Sequence, residues 1–534
     1  MKTIFRFIFA ALFCTTQFAY SALPKSERPN IILIYTDDQG YGDVSALNPN
    51  SKFKTPNLDQ LIHEGVTLTD GHCSDTVCTP SRYGLLTGRY SWRTHLKKGV
   101  FGADQKCLIE DGRITLASLL RDAGYRTAMI GKWHLGMEFD GERGNRDWSK
   151  PFQDGPIEKG FDYFFGIPAS MNYGVLTYLE NDRLLKPATL WTAKKPGKVV
   201  HDKVSYRITP PYENKPPKKG QPLEVAANFN DERVLEKFTE KAVAWMEKVA
   251  PDAKKGKPFF LYWPLTSPHK PVCPLPQFEG QSQAGAYGDF MIETDHWVGE
   301  IMKTVKRLGL DENTMIVFTS DNGPEKTYAE RINVYHHHSS GIYRGGKRDL
   351  YEGGHRVPFL IRWPAKIDKR QTIDTPICQT DLLATFAEMV GRKLPANAGE
   401  DSQSFWPALI RDAGNHAKRN PMIHHSASGQ FAIRDGNWKL NLGRGNQGNK
   451  PAPDAAGPYE LYNLKEDPSE TKNVYGENKE MAGRLRDKLT ALIQNGRSTP
   501  GPKQANEGKW WPQLTWIPSP DGEPTPKRRN RKKK

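Results

Sequence analysis

The chain has 534 residues, a formal net charge of +15 and 37% hydrophobic residues. It is long enough to bury a sizeable core, so it needs no disulfide staples, and it suits one large domain with an accessory piece or two to three smaller domains. Seven of the last eight residues, 527–534, are basic, and the remaining chain still leans basic, which suits a polyanionic substrate.

Residues 1–21 are predicted to be a secretory signal peptide. Lys2 and Arg6 form a basic start, residues 7–13 are apolar, and small residues at positions 19 and 21 mark a cleavage site before Ala22. The apolar run is too short to span a membrane, and no other segment approaches a span. Bulky Phe13 argues against lipidation of Cys14. We therefore expect an exported protein, periplasmic or extracellular, or in a lysosomal-type lumen in a eukaryote.

The first strand is predicted at residues 30–38 (NIILIYTDD), where a nearly continuous apolar run ends in Asp37 and Asp38. The carboxyl end of a strand is where an open α/β sheet places its site. The alternative is an ordinary turn that carries acidic residues. A helix is then predicted to open at Thr55 and to stop at Gly65.

Residues 78–82 (CTPSR) predict the start of a helix, with Thr79 as a cap and Pro80 in the first turn. Cys78 would lie at the positive end of the helix dipole, where a thiol is activated and an anion is stabilised. Arg82 follows one turn later and could direct its guanidinium to the same place. The alternative is a buried structural cysteine beside a surface arginine.

A helix at 114–123 and a strand at 126–130 lead into Gly131-Lys132-Trp133-His134. Lys132 and His134 alternate, so they would share one face of a continued strand, where a cation and a base suit chemistry on an anion. The alternative is a plain surface pair. Residues 137–230 are predicted to be loops, with an aromatic element at 160–166 and an exposed Pro/Lys-rich excursion at 210–222.

Two more buried strands are predicted, at residues 258–263 and 314–319, with helices at 231–249 and 285–308. The first strand leads to His269, and the second ends in Asp321 and Asn322. Asp321 and Asn322 form an all-oxygen cluster with Asp37 and Asp38. Such a cluster suits a hard divalent cation such as Ca²⁺ and argues against zinc.

Lys347 lies between glycine pairs that allow close backbone approach, before a strand at 357–363. Residues 411–498 are predicted to form a small α+β subdomain, with a hairpin at 431–440, a strand at 460–464 and a helix at 481–494. Residues 499–534 are predicted to be a poorly ordered basic tail. Five cysteines remain after the signal peptide. The sequence favours neither disulfide bonds between them nor free buried thiols.

The run at residues 78–89 (CTPSRYGLLTGR) resembles the signature of the type I sulfatases, and the blocks described above follow in family order. Residues 277–282 and 287–289 are similar to the arylsulfatase A and N-acetylgalactosamine-6-sulfatase group. The resemblance implies an α/β, alkaline-phosphatase-like fold: a mixed, mostly parallel sheet sandwiched by helices, with a small C-terminal α+β subdomain. The catalytic domain would span residues 22–410.

The resemblance also implies a mechanism. A maturation enzyme, either formylglycine-generating or anaerobic, would oxidise Cys78 to formylglycine, whose hydrate attacks the sulfate ester and leaves a sulfated enzyme. One Ca²⁺ would be bound by Asp37, Asp38, Cys78, Asp321 and Asn322. Arg82, Lys132 and Lys347 would stabilise the sulfuryl oxygens. His269 would protonate the leaving alcohol, and His134 would take the proton that lets sulfate leave.

The leading hypothesis is a secreted sulfatase acting on a sulfated carbohydrate or aryl sulfate. The alternatives are a phosphoester hydrolase of the alkaline phosphatase superfamily and a catalytically inactive polyanion-binding protein. No nucleic-acid partner is expected. The excursion at 210–222 and the histidines at 336–338 are hypothesised to shape the substrate pocket, while the sugar, the sulfate position and the oligomeric state stay open.

Overall fold

The computed structural model of the protein describes residues 22–194, 208–410, 419–443, 445 and 459–518. The predicted signal peptide and the basic end of the tail, from residue 519, lie outside these residues. None of the helices in the described ranges is long and apolar enough to cross a membrane.

The described residues form twenty strands and ten α-helices. The strands are β1 (Asn30–Asp37), β2 (Val66–Leu68), β3 (Gly71–His72), β4 (Arg126–Lys132), β5 (Gly141–Glu142), β6 (Asn145–Arg146), β7 (Tyr163–Ile167), β8 (Leu179–Glu180), β9 (Arg183–Leu184), β10 (Leu190–Lys194), β11 (Gln221–Val225), β12 (Phe259–Pro268), β13 (Thr314–Ser320), β14 (Phe359–Arg362), β15 (Gln371–Ile373), β16 (Ile377–Cys378), β17 (Met422–His425), β18 (Phe431–Asp435), β19 (Trp438–Asn441) and β20 (Glu460–Asn463). The helices are α1 (Pro56–Glu64), α2 (Cys78–Thr87), α3 (Leu116–Asp122), α4 (Val234–Ala253), α5 (Gly285–Arg307), α6 (Tyr328–Tyr335), α7 (Glu352–His355), α8 (Asp381–Met389), α9 (Trp406–Ile410) and α10 (Lys479–Gln494).

A ten-stranded mixed sheet forms the centre of the molecule, in the order β15-β2-β14-β13-β1-β12-β4-β7-β8-β9. The five central strands, from β13 to β7, are mutually parallel, whereas β14 and β8 pair antiparallel on either side. Every residue of β1, β12 and β13 is buried, which explains their continuous apolar sequence. Separate apolar clusters cover the two faces, one with α2, α3, α8 and α9 and one with α1, α4 and α5. The predicted α/β sandwich is confirmed.

The region predicted as loops, residues 137–230, contains more structure than its composition indicates. Most of the aromatic element at 160–166 lies in β7, which begins at Tyr163, pairs parallel with β4 and extends the central sheet. The predicted excursion at 210–222 ends in β11, which pairs antiparallel with β10. These strands are short and flanked by glycine and proline, so no periodic pattern marks them.

A four-stranded antiparallel sheet, β17-β18-β19-β20, forms the core of the C-terminal subdomain, and α10 packs against it. The predicted hairpin is β18 and β19. The prediction of poor order from residue 499 is wrong as far as residue 518, because Trp511 and Leu514 are buried in the same apolar cluster as Phe431. The composition of this segment, which is rich in proline and lysine, did not indicate that these two side chains would be buried.

Candidate active site

The carboxyl ends of four adjacent parallel strands, β13, β1, β12 and β4, meet at one edge of the sheet. Asp37 ends β1, Lys132 ends β4, His269 follows β12, and Asp321 follows β13. The structure brings all of the predicted site residues into one buried cluster: Asp37, Asp38, Cys78, Arg82, Lys132, His134, His269, Asp321, Asn322 and Lys347. The parallel order of the strands creates this convergence.

The carboxylates of the cluster are paired with buried cations. Lys132 Nζ makes a short contact with Asp37 Oδ2, and Lys347 Nζ lies 2.5 Å from Asp38 Oδ1. Burial alone would raise the pKa of Asp37, but Lys132 and the other nearby cations hold it below its usual value. For Asp321, burial and the neighbouring Asp37 outweigh the cations and raise the pKa.

Cys78 is the first residue of α2, and its side chain points into the cluster. Its Sγ lies 3.5 Å from both Asp37 Oδ1 and Lys347 Nζ, and the residue is only 2% exposed. Burial raises the pKa of the thiol far above its usual value, although Lys132 and Lys347 oppose this effect. The expectation of an activated thiol is therefore not supported, because burial, together with the carboxylates of Asp321 and Asp37, outweighs both ammonium groups.

Arg82 is buried within the site, so the alternative of a surface arginine is wrong. Its Nε and Nη2 donate to Asp321 Oδ2 at 3.2 and 2.8 Å, and Nη1 donates to the carbonyl of Lys132 at 3.0 Å. The guanidinium thereby ties the end of β13 to the end of β4 across the cluster. The side chain is fully buried, so its charge acts at low dielectric on any bound anion.

The two histidines are oriented by backbone carbonyls, which can only accept hydrogen bonds. His134 Nε2 donates to the carbonyl of Phe101 at 3.0 Å, which leaves Nδ1 as an unprotonated nitrogen with no hydrogen-bond partner among the described residues. His269 Nδ1 donates to the carbonyl of Lys270 at 2.6 Å and directs Nε2 towards Asp38 Oδ2, 3.8 Å away. Burial lowers the pKa of both rings.

Three of the eight non-glycine residues with a positive φ in the described ranges lie at or beside the site. Asp38, His134 and Arg348 have φ values of 67°, 59° and 80°, in the left-handed region that non-glycine residues rarely adopt. The start of α7 packs closely on the segment after β13, where a Cβ on Gly323 would lie 1.8 Å from the carbonyl oxygen of Gly353, so glycine is required at position 323. The N–H of Lys347 donates to the carbonyl of Pro324 at 2.8 Å, which holds the backbone of Lys347 beside the same segment.

A divalent cation fits the donor atoms that the cluster offers. Asp38 Oδ2 and Asn322 Oδ1 are buried oxygens without a hydrogen-bond partner in the described part of the chain, although buried polar atoms are normally satisfied. The ligand atoms of Asp37, Asp38, Cys78 and His269 all lie within 4.8 Å of one another. Unsatisfied carboxylate and amide oxygens are the donors that a hard cation such as Ca²⁺ prefers.

Several residues around the opening were not found from the sequence. Tyr173 lies beside His134, with ring centroids 5.4 Å apart, and Glu325 forms ion pairs with Lys270 and Arg348. Lys270 and Arg348 directly follow predicted site residues, which was the available signal. Tyr173 lies in the glycine-rich loop before β8, where the sequence offers no signal.

The histidines at 336–338 do not act together. His337 is fully buried: its Nε2 donates to Asp43 Oδ1 at 2.8 Å, and its Nδ1 accepts the N–H of Lys52 at 3.3 Å. The proposed role in shaping the substrate pocket is therefore wrong for His337, which connects two loops. His336 and His338 are exposed.

Comparisons with known proteins identify the family. A profile described as Sulfatase matches residues 29–392, and one described as N-sulphoglucosamine sulphohydrolase, C-terminal, matches residues 341–495. The chain belongs to the sulfatase family. This sulfatase accordingly hydrolyses sulfate esters, and its sheet between helices is the alkaline-phosphatase-like fold.

The relatives of this sulfatase match it over nearly its whole length. It is 33% identical to the N-acetylgalactosamine-6-O-sulfatase of Bacteroides thetaiotaomicron, covering 88% of this chain and 94% of that protein. It is 32% identical to human arylsulfatase A, covering 92% of each. A solved sulfatase from B. thetaiotaomicron, described with the metabolism of multiple glycosaminoglycans, has a TM-score of 0.74 and 31% identity, covering 87% of this chain and 99% of that one.

Proposed function

We propose that this exported sulfatase removes sulfate from a sulfated carbohydrate of the glycosaminoglycan type, using formylglycine made from Cys78 and one bound Ca²⁺. The carbohydrate assignment is supported by the relative named N-acetylgalactosamine-6-O-sulfatase and by the glycosaminoglycan context of the structural neighbour. Export is supported by the signal-peptide pattern of residues 1–21.

The position of Cys78 is the observation that carries this proposal. Its Sγ lies between the carboxylate of Asp37 and the ammonium of Lys347, next to the buried oxygens that lack partners. Three carboxylates and three cations (Asp37, Asp38, Asp321, Arg82, Lys132 and Lys347) balance one another in the cluster. A bound divalent cation would therefore make the site positive, which suits an anionic sulfate ester.

The hydrate of a formylglycine at position 78 would supply a nucleophilic hydroxyl, and a bound Ca²⁺ would withdraw charge from the sulfate. Asp37, Asp38, Asp321 and Asn322 would hold the cation. Lys132, Lys347 and Arg82 reach the centre from three different elements and would stabilise the charge that develops on the sulfuryl oxygens.

In this proposal, His134 accepts a proton and His269 donates one. His134 Nδ1 carries a free lone pair in a buried site, so it is suited to take a proton from the hydroxyl at position 78. His269 Nε2 faces the carboxylate of Asp38, and the charges of Asp37 and Asp38 oppose the lowering of its pKa by burial. In this proposal it would donate a proton to the leaving alcohol, with Lys347 beside it.

Mass spectrometry and turnover assays test the proposal together. The peptide that contains Cys78, from protein made in its native host, should have lost its sulfur and carry an aldehyde or its hydrate. The wild-type protein should hydrolyse 4-nitrophenyl sulfate much faster than 4-nitrophenyl phosphate. Cys78→Ala should lower kcat by at least about 1,000-fold, as expected for loss of a nucleophile.

The matched control is Cys107→Ala, which removes another buried thiol outside the cluster and should retain turnover. An unmodified Cys78 thiol in active native protein would exclude the formylglycine mechanism. Faster turnover of the phosphate would favour the phosphoester hydrolase, and a protein that turns over neither ester would support the polyanion-binding alternative.

A further inference from the structure

We propose that Arg348 and Lys270 form a second anion subsite at the opening of the active site, which binds a carboxylate or an additional sulfate on the same saccharide. The inference rests on the proposed function and makes it more specific. The preferred substrate becomes a carbohydrate with at least two anionic groups, one of which is the reacting sulfate ester.

The chain places both residues beside the reacting centre. Arg348 follows Lys347, whose ammonium lies 3.5 Å from Cys78 Sγ, and Lys270 follows His269. The N–H of Arg348 donates to the carbonyl of Thr76 at 2.9 Å, which fixes its backbone close to the start of α2. The side chain of Arg348 also interacts electrostatically with Asp38 and Cys78, which places it beside the reacting sulfate and within reach of the rest of the saccharide.

Exposure separates this pair from the catalytic cluster. The side chains of Arg348 and Lys270 are 28% and 24% exposed, whereas Cys78 and Lys347 are only 2% and 3% exposed as residues. The catalytic groups thus lie at the bottom of the site, and the two additional cations lie where the rest of the sugar would be. Tyr173, also partly exposed, lines the same opening next to His134.

The ion pairs around Glu325 leave positive charge available. Arg348 Nη2 lies 2.9 Å from Glu325 Oε2, and Lys270 Nζ lies 3.6 Å from the same oxygen. Two cations therefore share one carboxylate, and the neighbouring Lys347 is already balanced by Asp38. Glu325 can therefore balance only one of these two positive charges.

Comparison with Arg362 shows how a structural arginine differs. Arg362 forms ion pairs with two carboxylates, Glu64 and Asp311, and its side chain is only 4% exposed. Arg348 pairs with the single carboxylate of Glu325, which it shares with Lys270, its side chain is 28% exposed, and its backbone has a left-handed φ of 80°. A partly solvated guanidinium on a strained backbone beside a reacting centre is suited to bind an anion through the N–H donors that Glu325 leaves free.

The test compares substrates that differ only in a second anion. The probes are 6-O-sulfated N-acetylgalactosamine, the same sugar with a further 4-O-sulfate, and the 6-sulfated sugar linked to a hexuronate. For each doubly anionic probe, the ratio of its kcat/KM to that of the singly sulfated sugar is measured in wild type, Arg348→Gln and Lys270→Gln. The matched control is Arg126→Gln, at the opposite end of β4, where Arg126 pairs with Asp252.

We expect Arg348→Gln to lower this ratio by about 10-fold, mainly through a higher KM, as for loss of one charge-assisted contact. Lys270→Gln should lower it by a smaller factor, and Arg126→Gln should leave it at the wild-type value. A loss with the hexuronate probe alone would assign a carboxylate, and a loss with the disulfated probe alone would assign a sulfate.

An unchanged ratio in both Arg348→Gln and Lys270→Gln, in protein that still turns over the singly sulfated sugar, would overturn the subsite and leave the proposed function intact. Equal losses on all probes would also overturn it, because they would indicate damage to the catalytic cluster. Wild-type protein that turns over no sulfate ester would overturn the proposed function and the subsite with it.

Discussion

The residues of the active-site cluster that lie at the ends of buried strands could be predicted from the sequence. Asp37 and Asp321 follow continuous apolar runs, so their position at one edge of a parallel sheet follows from the sequence. Arg348 and Tyr173 were missed because their importance depends on the path of loops, which no periodicity encodes. Burial also reversed one local inference, since it raises the pKa of Cys78 where the helix terminus alone would lower it.

The unpartnered oxygens of Asp38 and Asn322 lead to a prediction about metal binding. Removal of the cation with a chelator should lower the Tm, and about 1 mM Ca²⁺ should restore it, because a ligand that binds only the native state stabilises it. At 100 times its Kd, this gain is about 2.7 kcal/mol. Asn322→Leu should lose most of this calcium response in differential scanning calorimetry.

Asn313→Leu is the control, because it makes the same substitution at the opposite end of β13. Asn313 precedes this strand, whereas Asn322 follows it. Asn313 donates to the carbonyl of Arg28 and accepts from the Trp363 indole, far from the cluster. This variant should be less stable than wild type but should keep the full calcium response. A Tm that does not depend on calcium in the wild type would contradict the metal assignment.

At the scale of elements, α5 and α1 are joined by one buried carboxylate. Asp295 on α5 accepts the backbone N–H of Leu58 at 2.8 Å, and the side-chain amide of Asn57 at 2.8 Å, at the start of α1. It therefore caps the first turn of a helix that lacks a side-chain cap of its own. Burial raises the pKa of Asp295 to about 6, although these donors oppose the shift.

This pKa predicts a pH-dependent contribution to stability. The folded state holds the proton of Asp295 more tightly than the unfolded state, so this group stabilises the fold less as the pH rises from about 4 through 6. Asp295→Asn does not titrate. Relative to wild type, its free energy of unfolding should therefore increase by about 3 kcal/mol between pH 4 and pH 7, measured by urea denaturation.

Asn57→Ala provides the comparison, because it removes one donor and keeps the titrating carboxyl group. It should be less stable than wild type across the whole pH range. A constant difference between Asp295→Asn and wild type at all pH values would show that Asp295 has an ordinary pKa.

Elements were predictable in proportion to their periodicity. The long helices α4, α5 and α10 and the buried strands β1, β12 and β13 were all located within a few residues. The strand β7 was not recognised, because it is short and lies between glycine-rich loops. The prediction of poor order for residues 499–518 was wrong because it rested on composition alone. Two side chains of this segment, Trp511 and Leu514, are buried.

At the scale of the whole molecule, a buried ionic network joins the catalytic body to the C-terminal sheet. Arg434 on β18 forms a two-bond ion pair with Asp70, at 2.7 and 2.6 Å. Lys439 on β19 lies 3.0 Å from Glu352 and 2.9 Å from Glu470. Glu352 begins α7, and the next residue, Gly353, packs closely on Gly323 beside the metal-site residue Asn322, so the small sheet supports the active site. The C-terminal profile likewise begins at residue 341, inside the predicted catalytic domain.

Lys439→Met should therefore destabilise the whole chain. This change removes the buried ammonium that pairs with Glu470, while Glu352 keeps its ion pair with Arg356. Loss of a buried partner costs about 3–5 kcal/mol. We expect a lower Tm with a single transition, seen equally by tryptophan fluorescence and by far-UV circular dichroism. Lys488→Met removes an ammonium that is 45% exposed and pairs with Asp435, so its Tm should change little. Two separate transitions in the wild type would contradict this coupling.

The five cysteines of the described chain are free and buried, at positions 73, 78, 107, 273 and 378. A thiol reagent should therefore leave the folded protein unlabelled and react as fast as the molecule unfolds, so its reaction rate measures how long the native state persists. After denaturation, a chain without residues 1–21 should titrate four thiols if position 78 has been oxidised and five if it has not. A simple colour reaction could then report both the lifetime of the fold and the fraction of molecules that are ready to act.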